Sequence, residues 1–322
     1  MLPTTPENMD VGFVLICAAL VFLMQAGFCL LESGMIRAKN SINVAVKNLL
    51  DFGISMLVFA AFGFSLMFGA TNFGLFGSHV DFWLSNDLSA FFLFQMVFCG
   101  TAATIVSGAI AERTRLITYL AIVLVLSGFT YPLVGHWCWG GVLENTGSGW
   151  LVQLGFVDWA GTAVVHLVGG FASLAAILAI GPRRNYKRGK LTGGHSLTLA
   201  IMGCFLLWFG WWGFNGGSGL NADDSVAIVL PNTNLGAVAG LIVAAIVSWF
   251  RTRKTDVVDL ISGALAGLVS VTGACHAISP LGAIAAGAIG GIIALWAIEV
   301  LCKYGADDAV GAFGVHLSLI HI

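Results

Sequence analysis

The sequence predicts an all-α polytopic membrane protein. Of its 322 residues, 58% are hydrophobic and 9% are charged, and the mean hydropathy is +0.93. Such a chain has too little polar surface to cover a water-soluble globule. The 42 glycines against 6 prolines indicate closely packed helices, because small residues let membrane-spanning backbones approach each other. The apolar runs do not alternate with polar residues, which disfavours a β-barrel.

Apolar runs long enough to cross a bilayer define nine full spans and one fragment. The runs lie at about 11–33, 42–70, 89–110, 116–138, 159–181, 196–215, 228–250, 257–277 and 279–301, and an incomplete run begins near residue 308. The first basic residue is Arg37, so the N-terminus lacks the basic region of a signal peptide and cleavage is not expected.

The loop charges predict the orientation of the chain in the membrane. Lys and Arg cluster after the odd-numbered spans, at Arg37, Arg113, Arg183, Arg251 and Lys303, whereas the opposite loops carry acids such as Glu144. The positive-inside rule places the basic loops in the cytoplasm. We therefore expect a multi-pass protein of the inner or plasma membrane with its N-terminus outside.

Two segments share a pattern that is unusual in so apolar a chain. Residues 158–166 read DWAGTAVVH and residues 308–316 read DAVGAFGVH, so Asp, Gly, Val and His hold the same places in both. The predicted orientation makes the first segment enter from outside and the second from inside. This arrangement is typical of an inverted repeat with a site near the membrane midplane. We expect five plus five helices, with repeats at about 11–181 and 196–316.

Helix rise predicts that the two histidines lie close together. Eight helical residues rise about 12 Å, so in a hydrocarbon core of about 30 Å each histidine lies about 12 Å from its own membrane face. His166 and His316 then differ by roughly 6 Å in depth.

The last residues of the chain have a separate interpretation. The ending Leu317 to Ile322 is what a transposon mosaic end used in sequencing libraries would encode. We interpret residues 317–322 as an adapter-encoded tail and the chain as truncated, with the native gene continuing after His316. The source nucleotides would test this interpretation.

Ionisable groups inside a span carry a functional hypothesis by default, because placing them in lipid costs a few kcal/mol. A neutral imidazole pair at His166 and His316 offers a donor and an acceptor in a row, which suits a small polar molecule or a proton hop; a structural hydrogen bond is the alternative. Metal binding is disfavoured because no third ligand lies at helical spacing. Asp158 and Asp308 stand where a carboxylate caps a helix start, and Asp158 also favours a cation approaching from outside.

Aromatic residues cluster at the predicted outer ends of three spans. Phe214 and Ser218 are four residues apart and share a helix face, Phe98 ends the run FQMVF, and Trp139 ends HWCW. A ring beside a hydroxyl suits a small cation through its π face, whereas an interfacial belt or simple packing is the structural alternative. For the acids Glu32, Asp51 and Glu299, hydrogen bonds or ion pairs between helices are favoured over transport roles.

Other kinds of chemistry are poorly supported. The seven cysteines are scattered through apolar runs without a CxxC pair or a metal-spaced Cys/His cluster, so small core residues are favoured. The sequence contains neither a nucleotide-binding loop nor a nucleophile elbow. We expect no enzyme activity, no cofactor and no nucleic-acid partner; an intramembrane hydrolase built on His and Asp lacks a positioned nucleophile.

At these motifs the chain closely resembles the ammonium transporter family (Amt/Mep, distantly related to Rhesus proteins), from about residue 10 to His316. The resemblance implies an eleven-span protomer, of which about nine and a half spans are present, usually assembled as a homotrimer with one pore in each subunit. A regulatory PII-type protein is a possible partner within this family. Leu317 stands where the family pattern continues with Gly, which agrees with the adapter interpretation.

The resemblance also implies roles for single residues. Trp139 and Ser218 would recruit the ammonium ion, with Phe98 as a further π face, and Phe98 and Phe214 would form a stacked gate. His166 and His316 would line the pore, and Asp158 would support ammonium binding and the fold. Ammonium would be deprotonated and pass as ammonia, with net cation uptake.

Two rival functions use the same residues. In an ammonium-sensing membrane module of a larger signalling protein, the chain would bind ammonium but conduct little. Conduction of neutral gas or water is a variant of the channel interpretation that a selectivity assay separates.

Overall fold

The computed structural model describes residues 8–78, 86–184, 186–188 and 194–317. Residues 318–322, and with them most of the predicted adapter-encoded tail, lie outside the described residues, as does the acidic residue Asp81 of an outer loop. Apart from a two-stranded hairpin, the ordered elements are helices.

The helices follow the predicted apolar runs. They are α1 (Val11–Met35), α2 (Ala38–Phe68), α3 (Asn86–Ala109), α4 (Leu116–Trp139), the short α5 (Trp150–Gln153), α6 (Thr162–Ile180), α7 (Leu197–Gly219), α8 (Val226–Thr252), α9 (Val257–Thr272), α10 (Pro280–Tyr304) and α11 (Ala312–Leu317). Strands β1 (Thr71–Asn72) and β2 (Phe76–Gly77) pair antiparallel. The all-α polytopic prediction is confirmed.

Eight helices of the described chain have the length and apolar composition of a membrane span. The predicted run 257–277 contains a shorter apolar helix, α9, which has 16 residues and ends at Thr272. Its continuation is a series of turns before Ser279 caps α10. At 1.5 Å per residue α9 rises about 24 Å, less than the hydrocarbon thickness.

Glycine contacts hold the second half of the bundle together. Helix α8 packs against α9 and α10, and a Cβ added to Gly240 would lie 2.2 Å from the carbonyl oxygen of Gly263. A Cβ on Gly287 would lie 2.2 Å from the oxygen of Gly236. Backbones this close leave no room for a side chain, which explains the abundance of glycine.

Helix α1 packs along α7 and joins the first half of the chain to the second. We call the end of the bundle that holds Asp10, Trp139 and Ser218 the outer end, after the predicted orientation, and the opposite end the inner end. At the outer end the N–H of Asp10 donates to the carbonyl of Leu220, 3.0 Å away. Helices α3, α4, α6, α7 and α11 carry the candidate site.

Candidate functional site

A cavity of about 360 Å³ lies at the outer end of the bundle. Four of the predicted recruitment residues line it: Phe98, Trp139, Asp158 and Ser218. The Ser218 hydroxyl donates to the carbonyl of Phe214 at 2.7 Å, so its lone pairs remain able to accept. The indole N–H of Trp139 donates to the carbonyl of Asp158 at 2.7 Å. The cavity thus combines aromatic faces with a hydroxyl acceptor.

Phe98, which lines this cavity, is stacked on the ring of Phe214. The ring centroids of Phe98 and Phe214 are 4.0 Å apart and their planes differ by 9°. Both side chains are buried. Phe98 comes from α3 and Phe214 from α7, so the stack joins two helices. Trp139 meets the Phe98 ring edge-on, with centroids 6.5 Å apart.

The two histidines lie directly behind the phenyl stack. The His166 ring is 5.5 Å from Phe214, centroid to centroid, and its Nδ1 is 3.1 Å from Nδ1 of His316. The imidazole planes differ by 9°, and both residues are buried. One Nδ1 must donate and the other accept, so the pair shares one proton and leaves one Nε2 as donor and the other as acceptor.

Each histidine is placed by the same local turn. In the first segment, Asp158 precedes Gly161, which has φ +101°, and α6 then begins at Thr162 with a π-helical turn. In the second segment, Asp308 precedes Gly311, which has φ +78°, and α11 begins at Ala312. Only glycine adopts these left-handed conformations without strain. The expectation of continuous helix from Asp158 was therefore wrong: the first residues of each segment are unwound.

The two carboxylates cap the helix starts, as expected for an acid at that position. Asp158 accepts four backbone N–H bonds of 2.8 to 3.1 Å, from Gly161, Thr162, Ala163 and Val164. Asp308 accepts from Ala312 at 3.0 Å and Phe313 at 2.8 Å. The Asp158 carboxylate is thus occupied by four backbone donors, and its backbone carbonyl accepts from Trp139.

Comparison with known proteins decides which family this arrangement represents. A sequence model of the ammonium transporter family matches residues 12–319. The chain belongs to the ammonium transporter family. Ammonium transporter Amt2 of Archaeoglobus fulgidus is 44% identical over 330 residues, covering 97% of this chain and 70% of that protein. The family is one of transporters, in line with the expectation that the chain is not an enzyme.

Further relatives define how much of the family architecture this chain contains. The Synechocystis protein sll0537 is 45% identical over 321 residues, and the match spans 96% of this chain but 59% of the relative. A solved structure titled "Sensor Amt Protein" superposes with a TM-score of 0.92 at 42% identity, covering 96% of this chain and 79% of that one. Candida albicans Mep2 superposes with a TM-score of 0.87 at 30% identity, covering 97% and 71%.

The structure adds two residues that the sequence motifs did not single out. Trp211 stacks on His166 with ring centroids 5.1 Å apart and planes 13° apart, and its indole N–H donates to Thr272 at 2.8 Å. Gln95 lines the outer cavity. Trp211 lies three residues before Phe214, a spacing that places both side chains on one helix face. The sequence alone gave no further reason to prefer Trp211 to its neighbour Trp212.

A network of ion pairs lies at the inner end. Glu112 accepts from Arg37 at 2.8 Å and Arg183 at 2.9 Å, and Arg183 donates to Asp307 at 2.7 Å. Burial alone would raise the pKa of the Glu112 carboxyl, but hydrogen bonds from Arg37, Asn40 and Arg183 outweigh it and lower that pKa from 4.5 to about 2. The network therefore holds the segment that leads to Asp308 and His316.

Two further acids, Asp51 and Glu299, make the hydrogen bonds and ion pairs that the sequence favoured over transport roles. Asp51 is buried and accepts from the Tyr119 hydroxyl and from Gln25 at 3.1 Å. Glu299 pairs with Arg251 and Lys303, each at 2.6 Å. Within the described residues, no group of three His, Cys, Asp or Glu side chains is arranged to hold a metal ion.

Proposed function

We propose that the chain transports ammonium across the cell membrane: it recruits the ion at the outer cavity, deprotonates it and passes ammonia along His166 and His316. One observation carries this proposal. The stacked pair Phe98–Phe214 separates a cavity suited to a cation from a buried imidazole pair. An apolar barrier directly beneath a cation site requires the occupant to change its charge before it passes.

The outer cavity suits ammonium better than neutral solutes. Trp139 and Phe98 present aromatic faces that attract a desolvated cation by about 2 kcal/mol, and Ser218 supplies a hydroxyl acceptor. The Asp158 carboxylate, although occupied by backbone N–H groups, adds negative charge near the cavity. Together these groups replace part of the hydration shell that ammonium loses on entry.

The histidine pair suits ammonia better than the ion. A bare cation in an apolar pore has a large desolvation penalty, whereas neutral ammonia does not. The Nε2 of His166 is buried and has no hydrogen-bond partner among the described residues, so a passing ammonia molecule can bond to it. Trp211 fixes the imidazole plane from behind. The proton crosses by a separate polar route, so the net substrate is a cation.

The experiment that tests the proposed function is His166→Ala in the full-length protein. Removing one imidazole opens the barrier, and we expect loss of electrogenic ammonium uptake or about a tenfold fall in discrimination against potassium. His195→Ala is the matched control, since His195 lies outside the pore and bonds the Ile36 carbonyl at 2.9 Å. Unchanged current and unchanged discrimination in His166→Ala would refute the pore role. Complementation of an ammonium-uptake mutant by the wild-type gene tests the activity itself.

The proposal extends to the assembly and membrane setting of the transporter, by analogy with the family. We expect a homotrimer in the inner or plasma membrane, with the N-terminus outside and one pore in each protomer, and a PII-type protein as a possible regulator. The transport domain corresponds to residues 1–316, with 317–322 as the adapter-encoded tail. Cross-linking and protease accessibility of the N-terminus test the assembly and the orientation.

A sensor is the second candidate function, and one observation favours it. The solved structure with a TM-score of 0.92 to this chain is titled "Sensor Amt Protein". A sensing module would bind ammonium at the same outer cavity but would not sustain uptake. Ammonium binding without complementation would favour the sensor, and complementation favours the transporter.

A further inference from the structure

A buried acid lies on the inner side of the histidine pair. Glu32, on α1, is 1% exposed. Its Oε2 accepts from the Asn48 amide at 2.9 Å and from the Ser107 hydroxyl at 2.8 Å. These bonds join α1 to α2 and α3, as the sequence led us to expect. An acid at this depth in a membrane bundle is costly, so its surroundings decide between an interhelical contact and a proton site.

The same residue also lines a cavity that it shares with the pore histidine His316. Glu32 and His316 line one cavity of about 30 Å³. That volume holds one or two water molecules, which need polar partners such as an imidazole nitrogen and a carboxylate. On its other side, Oε1 of Glu32 lies against α3, since a Cβ built on Gly108 would be 3.2 Å from it. A side chain at Gly108 would meet Val310 first, with Cγ2 2.5 Å away, and would require only a small shift of the carboxyl group.

A second cavity continues toward the inner end. It has a volume of about 100 Å³ and is lined by acids that include Asp307 and Asp308. Val310 lines both cavities, and the Cβ position of Gly108 is 2.5 Å from Val310 Cγ2. Glu32 thus lies between the histidine pair and a polar chamber near the cytoplasmic loops, with one valine side chain separating the two cavities.

From this placement we infer that Glu32 is the proton acceptor beneath the histidines, which carries the ammonium-derived proton from His316 toward the inner cavity. The inference rests on the proposed function. An N–H bond of the protonated imidazole breaks and, through one water molecule, an O–H bond forms on Glu32; the imidazole and the carboxyl group are then both neutral. Glu32 releases the proton to water of the inner cavity and regains its charge. The proton that ammonium gives up in the outer cavity reaches the histidine pair by the separate polar route and leaves from His316 through Glu32, whereas ammonia follows the pore.

The test compares charge movement with ammonia entry in proteoliposomes that contain the full-length protein. Ammonium-evoked charge displacement reports the proton, and the total ammonium recovered from inside the proteoliposomes reports ammonia entry. In Glu32→Gln we expect the ratio of charge to ammonia to fall by about tenfold or more, because the amide cannot take up a proton. The matched control is Glu299→Gln, which changes a half-exposed membrane glutamate in an ion pair and should leave the ratio unchanged.

The outcomes separate the inference from the proposed function. A wild-type ratio in a folded Glu32→Gln variant, or an equal loss of charge and ammonia entry, overturns the inference and leaves the proposed function intact. A wild type that moves neither charge nor ammonia overturns both. If Glu32→Gln does not fold, Glu32→Asp carries the test: the shorter acid withdraws from the cavity, and the ratio should fall by about threefold. An unchanged ratio in that variant overturns the inference.

Discussion

The inner ion-pair network makes a prediction about stability that can be worked through quantitatively. Glu112 is the centre of this network, with its side chain 2% exposed. It receives donors from two segments: Arg37 and Asn40 at the junction of α1 and α2, and Arg183 after α6. Glu112→Gln keeps the size of the side chain and removes its charge. The variant therefore isolates the contribution of the charged pairs to the free energy of unfolding.

The magnitude follows from the pKa of the Glu112 carboxyl. A pKa lowered from 4.5 to about 2 corresponds to about 3 kcal/mol of preferential stabilisation of the folded protein. Because Arg37 is 38% exposed and the network borders water, solvent screening reduces the figure to about 2 kcal/mol. Glu112→Gln should lower the unfolding temperature by a few degrees at about pH 7.

The pH dependence has a definite sign. The folded pKa lies below the unfolded value, so the stabilisation is complete above about pH 5 and disappears as the pH falls toward 2. Thermal unfolding in detergent should show a gap between wild type and Glu112→Gln that narrows in this window. Glu144→Gln, an exposed outer-loop change, should change stability by less than about 0.5 kcal/mol. Equal stability at neutral pH, or a gap that persists at about pH 3, would refute the reasoning.

Two further predictions concern the helix starts and the glycine contacts. Asp158→Asn removes the charge that holds four backbone N–H groups. It should destabilise the protein by about 3 kcal/mol and weaken ammonium binding measured by calorimetry. An equal effect of Asp223→Asn, at an exposed outer turn, would contradict this prediction. Gly240→Ala should lower the free energy of unfolding by about 2 kcal/mol, because the added Cβ would lie 2.2 Å from the carbonyl oxygen of Gly263. Gly53→Ala, whose Cβ meets open space, should be neutral or stabilising. Matching unfolding midpoints for the two variants would show the argument to be wrong.

The sequence predicts the framework of the site because depth in a membrane can be counted along the chain. Long apolar runs locate the helices, and loop charges predict their direction. Counting from each end then brings His166 and His316 to similar depth, and in the structure their Nδ1 atoms are 3.1 Å apart. The backbone from each aspartate to its histidine is not the continuous helix that was expected, since α6 and α11 begin four residues after their aspartates. A left-handed glycine inside an apolar run gives no periodic signal.

Counting residues from the membrane faces does not predict contacts between distant loops. The chain positions of Glu112 and Arg183 differ by 71, and Asp307 lies 124 residues beyond Arg183. Glu112 itself has φ +68°, a conformation that the surrounding sequence does not predict. The same limit applies to Glu32: a helical acid between apolar residues fits a helix contact and a proton site equally well. Only the cavity shared with His316 separates them.

The two Asp-Gly-His segments show how one local turn acquires two roles. Both aspartates cap a helix start, and both glycines have positive φ. Asp158 faces the outer cavity, where its carbonyl orients Trp139, whereas Asp308 lines the inner cavity and follows Asp307, which Arg183 holds. The repeated turn, which is alike in both segments, therefore does not distinguish the two ends of the bundle. The loops around each copy do, because they place aromatic faces at one end and paired charges at the other.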